Sequence, residues 1–305
     1  MDTSLRRAYI LIAVAVVLVS IVYAIGRTPY SNLKPALATS SVGTTIEHPG
    51  KTPFEHTGPK APSSFVYTFN VDGILEETGS IAISPSPYWH VDSGGRMLIE
   101  DGVGKTIQGE AKEGDRWRSA YNAANPLDTD SGRYPQNIFR LVSKETWSNS
   151  LLEVSFLIRR DNMTDSPARN ESNGILFMSR YKEGGDTLYY AGLRVDGNAV
   201  IKKKYEGVYY TMALRQIYAG TYSRTLVPNL LPRGEWIRLR MESTTLNNGV
   251  RIRLYIQNGE RWDLLVEAID SGGYSGTPPI IARDHVGIRT DYMDVEFKDF
   301  KALPI

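Results

Sequence analysis

The chain of 305 residues contains no cysteine. No disulfide framework, thiolate metal site or thiol nucleophile can be built from it. It is equally short of net charge: 35 Lys+Arg against 34 Asp+Glu leave a formal charge of +1. That balance lacks the basic excess of a nucleic-acid binder, and no nucleic-acid partner is expected. Histidine is scarce, limited to His48, His56, His90 and His285. Beyond residue 63 no long stretch places apolar residues at helical spacing, which argues against a helical bundle or a doubly wound sheet.

One long apolar run is present. Ala8 to Ile25 carries no charge and is apolar apart from Tyr9, Ser20 and Tyr23. Its length corresponds to about 27 Å of helix, enough to cross a bilayer core. Arg6 and Arg7 precede it, so residues 1–7 are expected on the cytoplasmic side and the rest of the chain outside. The alternative is a secreted protein whose signal peptide is cleaved after Val22-Tyr23-Ala24 or Ala36-Leu37-Ala38; the length of the run favours a retained signal anchor. Residues 26–63 hold Pro29, Pro35, Pro49, Pro53, Pro59 and Pro62 among Ser and Thr, and read as an extended stalk.

From residue 64 the apolar period becomes two. Phe65, Tyr67 and Phe69 alternate with polar residues, as do Val154, Phe156 and Ile158, then Ile237, Leu239 and Met241, then Val250, Ile252, Leu254 and Ile256. Alternation of this kind marks strands with one buried face. Further strands are expected at 174–181, 188–195, 199–205, 262–269, 285–290 and 295–303, separated by turn signals such as Asp196-Gly197-Asn198 and Asn258-Gly259. The expected architecture for 64–305 is all-β, an antiparallel jelly-roll β-sandwich behind one N-terminal transmembrane helix. The stretch 109–136 reads as a long polar loop, and Asn162-Met163-Thr164 and Asn170-Glu171-Ser172 match the N-glycosylation acceptor pattern.

The last third is similar to concanavalin A-like lectin/glucanase jelly rolls. The residues that carry the resemblance are Gly234-Glu235-Trp236-Ile237-Arg238, Val250–Gln257, Asp270-Ser271-Gly272-Gly273, and Val286-Gly287-Ile288-Arg289-Thr290-Asp291 followed by Val295–Phe300. Residues 201–213 (IKKKYEGVYYTMA) distantly resemble the tyrosine-bearing strand of alginate-lyase-type polysaccharide lyases. The resemblance implies a jelly-roll fold and a polysaccharide or cell-surface glycan as partner. It departs from both catalytic patterns. Asp294-Val295-Glu296-Phe297-Lys298-Asp299 has the carboxylates in the wrong order for a Glu-x-Asp-x-x-Glu strand, and a Gln-Ile-His strand is absent.

A hairpin over 188–205, with Val195 opposite Ala199 and Leu193 opposite Ile201, turns Tyr190, Arg194, Lys202 and Lys204 to one open face. Cations beside a tyrosine ring suit an anionic sugar, and the bland alternative is a solvated face protected by lysines. The tyrosine cluster Tyr205, Tyr209, Tyr210, Tyr218 and Tyr222 adds Tyr209 to the ligand-binding set and offers Tyr210 as the group to move a proton in a lyase. Arg238, Arg240, Arg251 and Arg253 are expected outside the core, balanced by Glu242 and Glu267. Asp294, Glu296 and Asp299 read as polarity of the closing strand. Asp128 and Asp130 are the one place where a calcium ion is conceivable, without the ligand spacing of a known calcium loop; no other cofactor is suggested. Three functions remain open: a membrane-anchored glycan-binding module, a polysaccharide lyase using tyrosine with Lys/Arg charge neutralisation, and a structural envelope protein without a ligand site.

Overall fold

A computed structural model describes residues 64–305; the stub 1–7, the apolar run 8–25 and the segment 26–63 lie outside the described residues. Five strands open the described part: β1 (Phe65–Tyr67), β2 (Gly73–Glu76), β3 (Trp89–Ser93), β4 (Arg96–Glu100) and β5 (Val103–Lys105). A helix, α1 (Arg116–Ala124), and a 3-10 turn at Pro135–Asn137 come next. The remaining strands are β6 (Ile138–Trp147), β7 (Ser150–Asp161), β8 (Gly174–Tyr181), β9 (Leu188–Arg194), β10 (Asn198–Tyr205), β11 (Val208–Gln216), β12 (Trp236–Leu246), β13 (Gly249–Asn258), β14 (Arg261–Asp270), β15 (Asp284–Asp291) and β16 (Met293–Leu303).

The strands form two antiparallel sheets. One has nine strands in the order β14-β13-β12-β7-β16-β5-β4-β2, with β1 added on β16. The other has seven, in the order β11-β10-β9-β8-β15-β6-β3. The inner faces interdigitate in one core. Phe156 of β7 meets Phe177 of β8 at 5.9 Å between ring centroids, and Trp89 of β3 meets Phe300 of β16 edge-on at 4.7 Å. Each such ring contributes about 1.5–3 kcal/mol by leaving water. The expected all-β antiparallel sandwich is what forms.

The core also holds a charged pair. Lys203 of β10 and Asp270 of β14, on opposite sheets, meet at 2.8 Å with both side chains at 0% exposure. The Tyr189 hydroxyl donates to Asp270 (2.6 Å), and the Lys203 ammonium also donates to the carbonyls of Pro278 (2.7 Å) and Thr277 (3.2 Å). Buried charge is tolerated here because both partners are fully hydrogen-bonded. The pair joins the sheets and pins the connection between β14 and β15.

Three expectations need correction. The polar stretch 109–136 is not all loop: Asp115 accepts from the Trp117 amide and caps α1, whose Trp117 and Tyr121 are buried. Asn162 is 1% exposed, and its amide donates to Asn137 and Asp294, so the folded chain offers no room for a glycan there. The 188–205 hairpin is shifted: Ala199 lies opposite Leu193 and Ile201 opposite Ala191. A shift of two positions keeps every side chain on its expected face.

Candidate functional site

The β9–β10 hairpin turns through Gly197, whose φ is +80°. A Cβ there would lie 2.4 Å from the Tyr218 carbonyl, so glycine is required on both counts. Beyond the turn, Leu193, Ala191, Ala199 and Ile201 enter the core, and Tyr190, Arg194, Lys202 and Lys204 share the opposite face. β11 pairs with β10 through an irregularity at Ile201/Lys202: Ile201 faces Ala213, but Lys202 faces Thr211 and Lys204 faces Tyr209. The extra residue brings Tyr209 onto the face of Tyr190. The rings of Tyr190 and Tyr209 stack at 6.1 Å and 19°.

The structure thus brings together all five residues expected to bind a ligand. They are not equally accessible. Tyr190, Arg194 and Lys204 are 1%, 7% and 8% exposed, against 49% for Tyr209. Lys202 is half-buried. Tyr209 and Lys202 are therefore the accessible members of the set, and the other three lie beneath them. Arg194 is committed to Asp196 (2.7 Å), and the Lys204 ammonium donates to the Gly185 carbonyl (2.7 Å) while standing 5.0 Å from the centre of the Tyr209 ring. Lys202 has neither hydrogen bond nor ion pair among the described residues.

Sequence reasoning missed the groups that complete this face. Arg289 of β15 donates to the hydroxyls of Tyr190 (3.1 Å) and Tyr209 (3.3 Å) and pairs with Asp291 (2.7 Å). Further along, Arg140 of β6 and the Tyr181 hydroxyl both donate to Asp92 of β3 (3.2 and 2.8 Å). The run 285–290 shows by alternation that Arg289 points away from Ile288, but no local signal says which strands lie beside it.

The charges set the acidities. Burial raises the Tyr190 hydroxyl to about 12. Burial would raise Tyr209 too, but Arg289, Lys204 and Arg140 outweigh it and bring its hydroxyl down to about 7. Burial lowers the ammonium groups of Lys202 and Lys204 from their ordinary value. Burial also works to raise Asp92, yet His90, Arg140 and Tyr181 hold it well below the usual carboxylate range.

Other candidates fall elsewhere. Tyr210 is opposite Lys203 on the core side of β11, with its ring near Tyr274 at 6.5 Å, so it cannot act with the cations of the open face. Arg253 binds Glu267 as expected, whereas Arg238 and Arg240 share one carboxylate, the unforeseen partner Glu153 (2.9 and 3.0 Å). Asp294 accepts from Gln136, Asn162 and the Gly109 amide, and Glu296 pairs with Arg159; they anchor the closing strand. Asp128 accepts from Ser166 and Tyr292, whereas Asp130 pairs with Arg133, so the two carboxylates serve different partners.

No family model matches the chain, and no curated protein matches it. Solved structures similar to it include a β-glucanase from Bacillus licheniformis, at 10% identity over 81% of this chain and 100% of that one, with a TM-score of 0.44. Others are the carbohydrate-binding module CBM66 from Bacillus subtilis (12% identity, 55% and 83% covered, TM-score 0.40) and the winged bean acidic lectin complexed with methyl-α-D-galactose (11%, 79% and 97%, TM-score 0.41). Likenesses this distant carry neither a superfamily nor a ligand to this chain.

Proposed function

We propose that this chain is a glycan-binding protein whose ligand lies on the outer face of the seven-stranded sheet, at Tyr209 and Lys202, and that the glycan is acidic. The observation that carries the reading is an exposed tyrosine ring on the same face as a half-buried lysine that has no partner among the described residues. A ring offers a flat apolar surface to the C–H face of a sugar, and an unpaired ammonium favours a carboxylate or sulfate on it. The reading rests on this site rather than on the similar structures. With it we keep a tethered display outside the cytoplasm, supported by the apolar run 8–25 behind Arg6 and Arg7.

A lyase is the second reading. Its support is Tyr209, whose hydroxyl is held at about 7 within reach of Arg289. A tyrosine poised near neutrality can move a proton while an arginine neutralises the sugar carboxylate. Tyr209 takes the role that the sequence suggested for Tyr210.

A glycan array probed with the full-length chain tests the first reading. Binding is expected to acidic glycans and to fall as salt rises, because exposed charges are screened over about 8 Å at physiological ionic strength. Absence of binding to every acidic glycan would contradict it. Unsaturated sugar released from a bound polymer would favour the lyase.

A further inference from the structure

The hydroxyl of Tyr209 is met by cations. Arg289 reaches it at 3.3 Å, and the Lys204 ammonium is 5.0 Å from the centre of its ring. The charged and titratable groups around it come from every neighbouring strand of the face: Tyr190 on β9, Lys202 and Lys204 on β10, Arg289 and Asp291 on β15, and Arg140 on β6. Tyr181 on β8 and Asp92 and His90 on β3 stand behind Arg140. Asp291 and Asp92 each face an arginine of their own, so neither is free to neutralise Lys204. The one exposed group able to supply negative charge to Arg289 and Lys204 from within this cluster is the Tyr209 phenol itself.

An acidic sugar bound at Tyr209 and Lys202 would present its carboxylate to Arg289 as well, within the field of the buried Lys204. We infer that Tyr209 is an internal rival of the acidic ligand: its phenolate occupies Arg289 in the free protein, within the field of the buried Lys204, and takes up a proton when the ligand's carboxylate replaces it. The exchange balances as phenolate, proton and free carboxylate giving phenol and bound carboxylate, one proton taken up per site. Binding and protonation are then linked, and each must favour the other equally. The face holds acidic glycan more weakly as pH rises past neutrality. This inference rests on the acidic-glycan reading and adds its control by pH. The hydroxyl of Tyr209, held at about 7, places the transition where it matters in neutral surroundings.

Lys202 and Lys204 have lowered pKa values and also lose charge on the alkaline side, so a fall in binding alone would be ambiguous. Two measurements on the full-length chain remove the ambiguity. The first follows tyrosinate absorbance through neutral pH for wild type and Tyr209→Phe, with and without polygalacturonate. The wild type should show one tyrosine ionising near neutrality, the signal should be absent from the variant, and the polymer should move it to higher pH. The second compares retention on immobilised polygalacturonate at about pH 6 and about pH 8.5, where wild type should weaken roughly fivefold or more, within the usual range of coupling between sites. The variant, whatever its retention at the lower pH, should show only the smaller loss due to the lysines.

Equal pH dependence in wild type and variant, or no tyrosine ionising near neutrality, overturns the inference and leaves the glycan reading standing. A neutral-pH tyrosinate that polygalacturonate does not move, with no retention at either pH, overturns both.

Discussion

The two outer faces of the sandwich treat charge in opposite ways. On the nine-stranded sheet, Glu153 of β7 receives Arg238, Arg240 and, at 3.4 Å, Lys301, and Arg253 reaches Glu267. On the seven-stranded sheet, Arg140, Arg194 and Arg289 are matched by Asp92, Asp196 and Asp291, which leaves Lys202 and Lys204 with no ion pair among the described residues. Both faces are rich in basic residues in the sequence, but on the nine-stranded face three cations crowd around Glu153, whereas on the other the two lysines have no ion pair among the described residues. Strand β10 repeats the contrast within itself. Lys203 turns inward to a fully buried partner, and its neighbour Lys202 turns outward to none. Counting basic residues on strands therefore does not locate a site; subtracting those already paired does.

The largest expected effect lies at the paired end of that contrast. Lys203→Ala leaves Asp270 buried and unpaired, and should cost about 3–5 kcal/mol in urea unfolding. If the loss is under about 1 kcal/mol, the cross-sheet pair is not what joins β10 to β14. Next comes the neutralised face. Glu153→Gln removes the negative charge that two arginines and a lysine share, and should cost about 1.5–3 kcal/mol, the usual worth of hydrogen bonds to a charged group. It also adds to the positive charge of this face. Retention on an acidic polymer should stay unchanged, because surplus charge without the Tyr209 platform does not make a site. A marked gain would show that charge alone suffices.

Acid should weaken both faces. Asp92 and Glu153 are each held below their ordinary values in the fold, Glu153 because Arg240 and Arg238 outweigh the effect of burial. A carboxylate with a depressed folded pKa lends its stability above the unfolded value, and loses it as pH falls below about 4 toward the folded value. The midpoint of thermal unfolding should therefore drop steadily below about pH 4. A flat profile down to about pH 2 would contradict the assigned pairs.

These contrasts were unevenly legible in the sequence. β13 announced itself, because Val250, Ile252, Leu254 and Ile256 meet the core while the residues between them meet water. β6 did not, since Leu141, Val142 and Ser143 are buried in succession and a bulge opposite His285 and Gly287 breaks its alternation. β2 to β5 span three to five residues each, too few for a period to emerge. The faces of the β9–β10 hairpin survived a register error because side chains alternate with period two. The choice between Tyr209 and Tyr210 did not survive, for a related reason. Regular pairing from Ile201↔Ala213 onward would set Lys204 opposite Tyr210, and the bulge moves Tyr209 into that place. One extra residue in β11 decides which hydroxyl meets Arg289, and it leaves no signature in composition or spacing. Glu153 was equally hidden, because its arginines lie more than eighty residues away in sequence.

The smallest effect on stability should accompany the largest on binding. Lys202→Ala removes a side chain without a partner, so stability should stay within about 0.5 kcal/mol. The direct test of the contrast between the faces compares full-length Lys202→Ala and Arg253→Ala for retention on immobilised polygalacturonate at low salt and about pH 6. Loss of retention in Lys202→Ala, with Arg253→Ala holding as wild type does, is the expected result. Equal retention in both variants, or a greater loss in Arg253→Ala, would contradict a ligand site on the seven-stranded sheet.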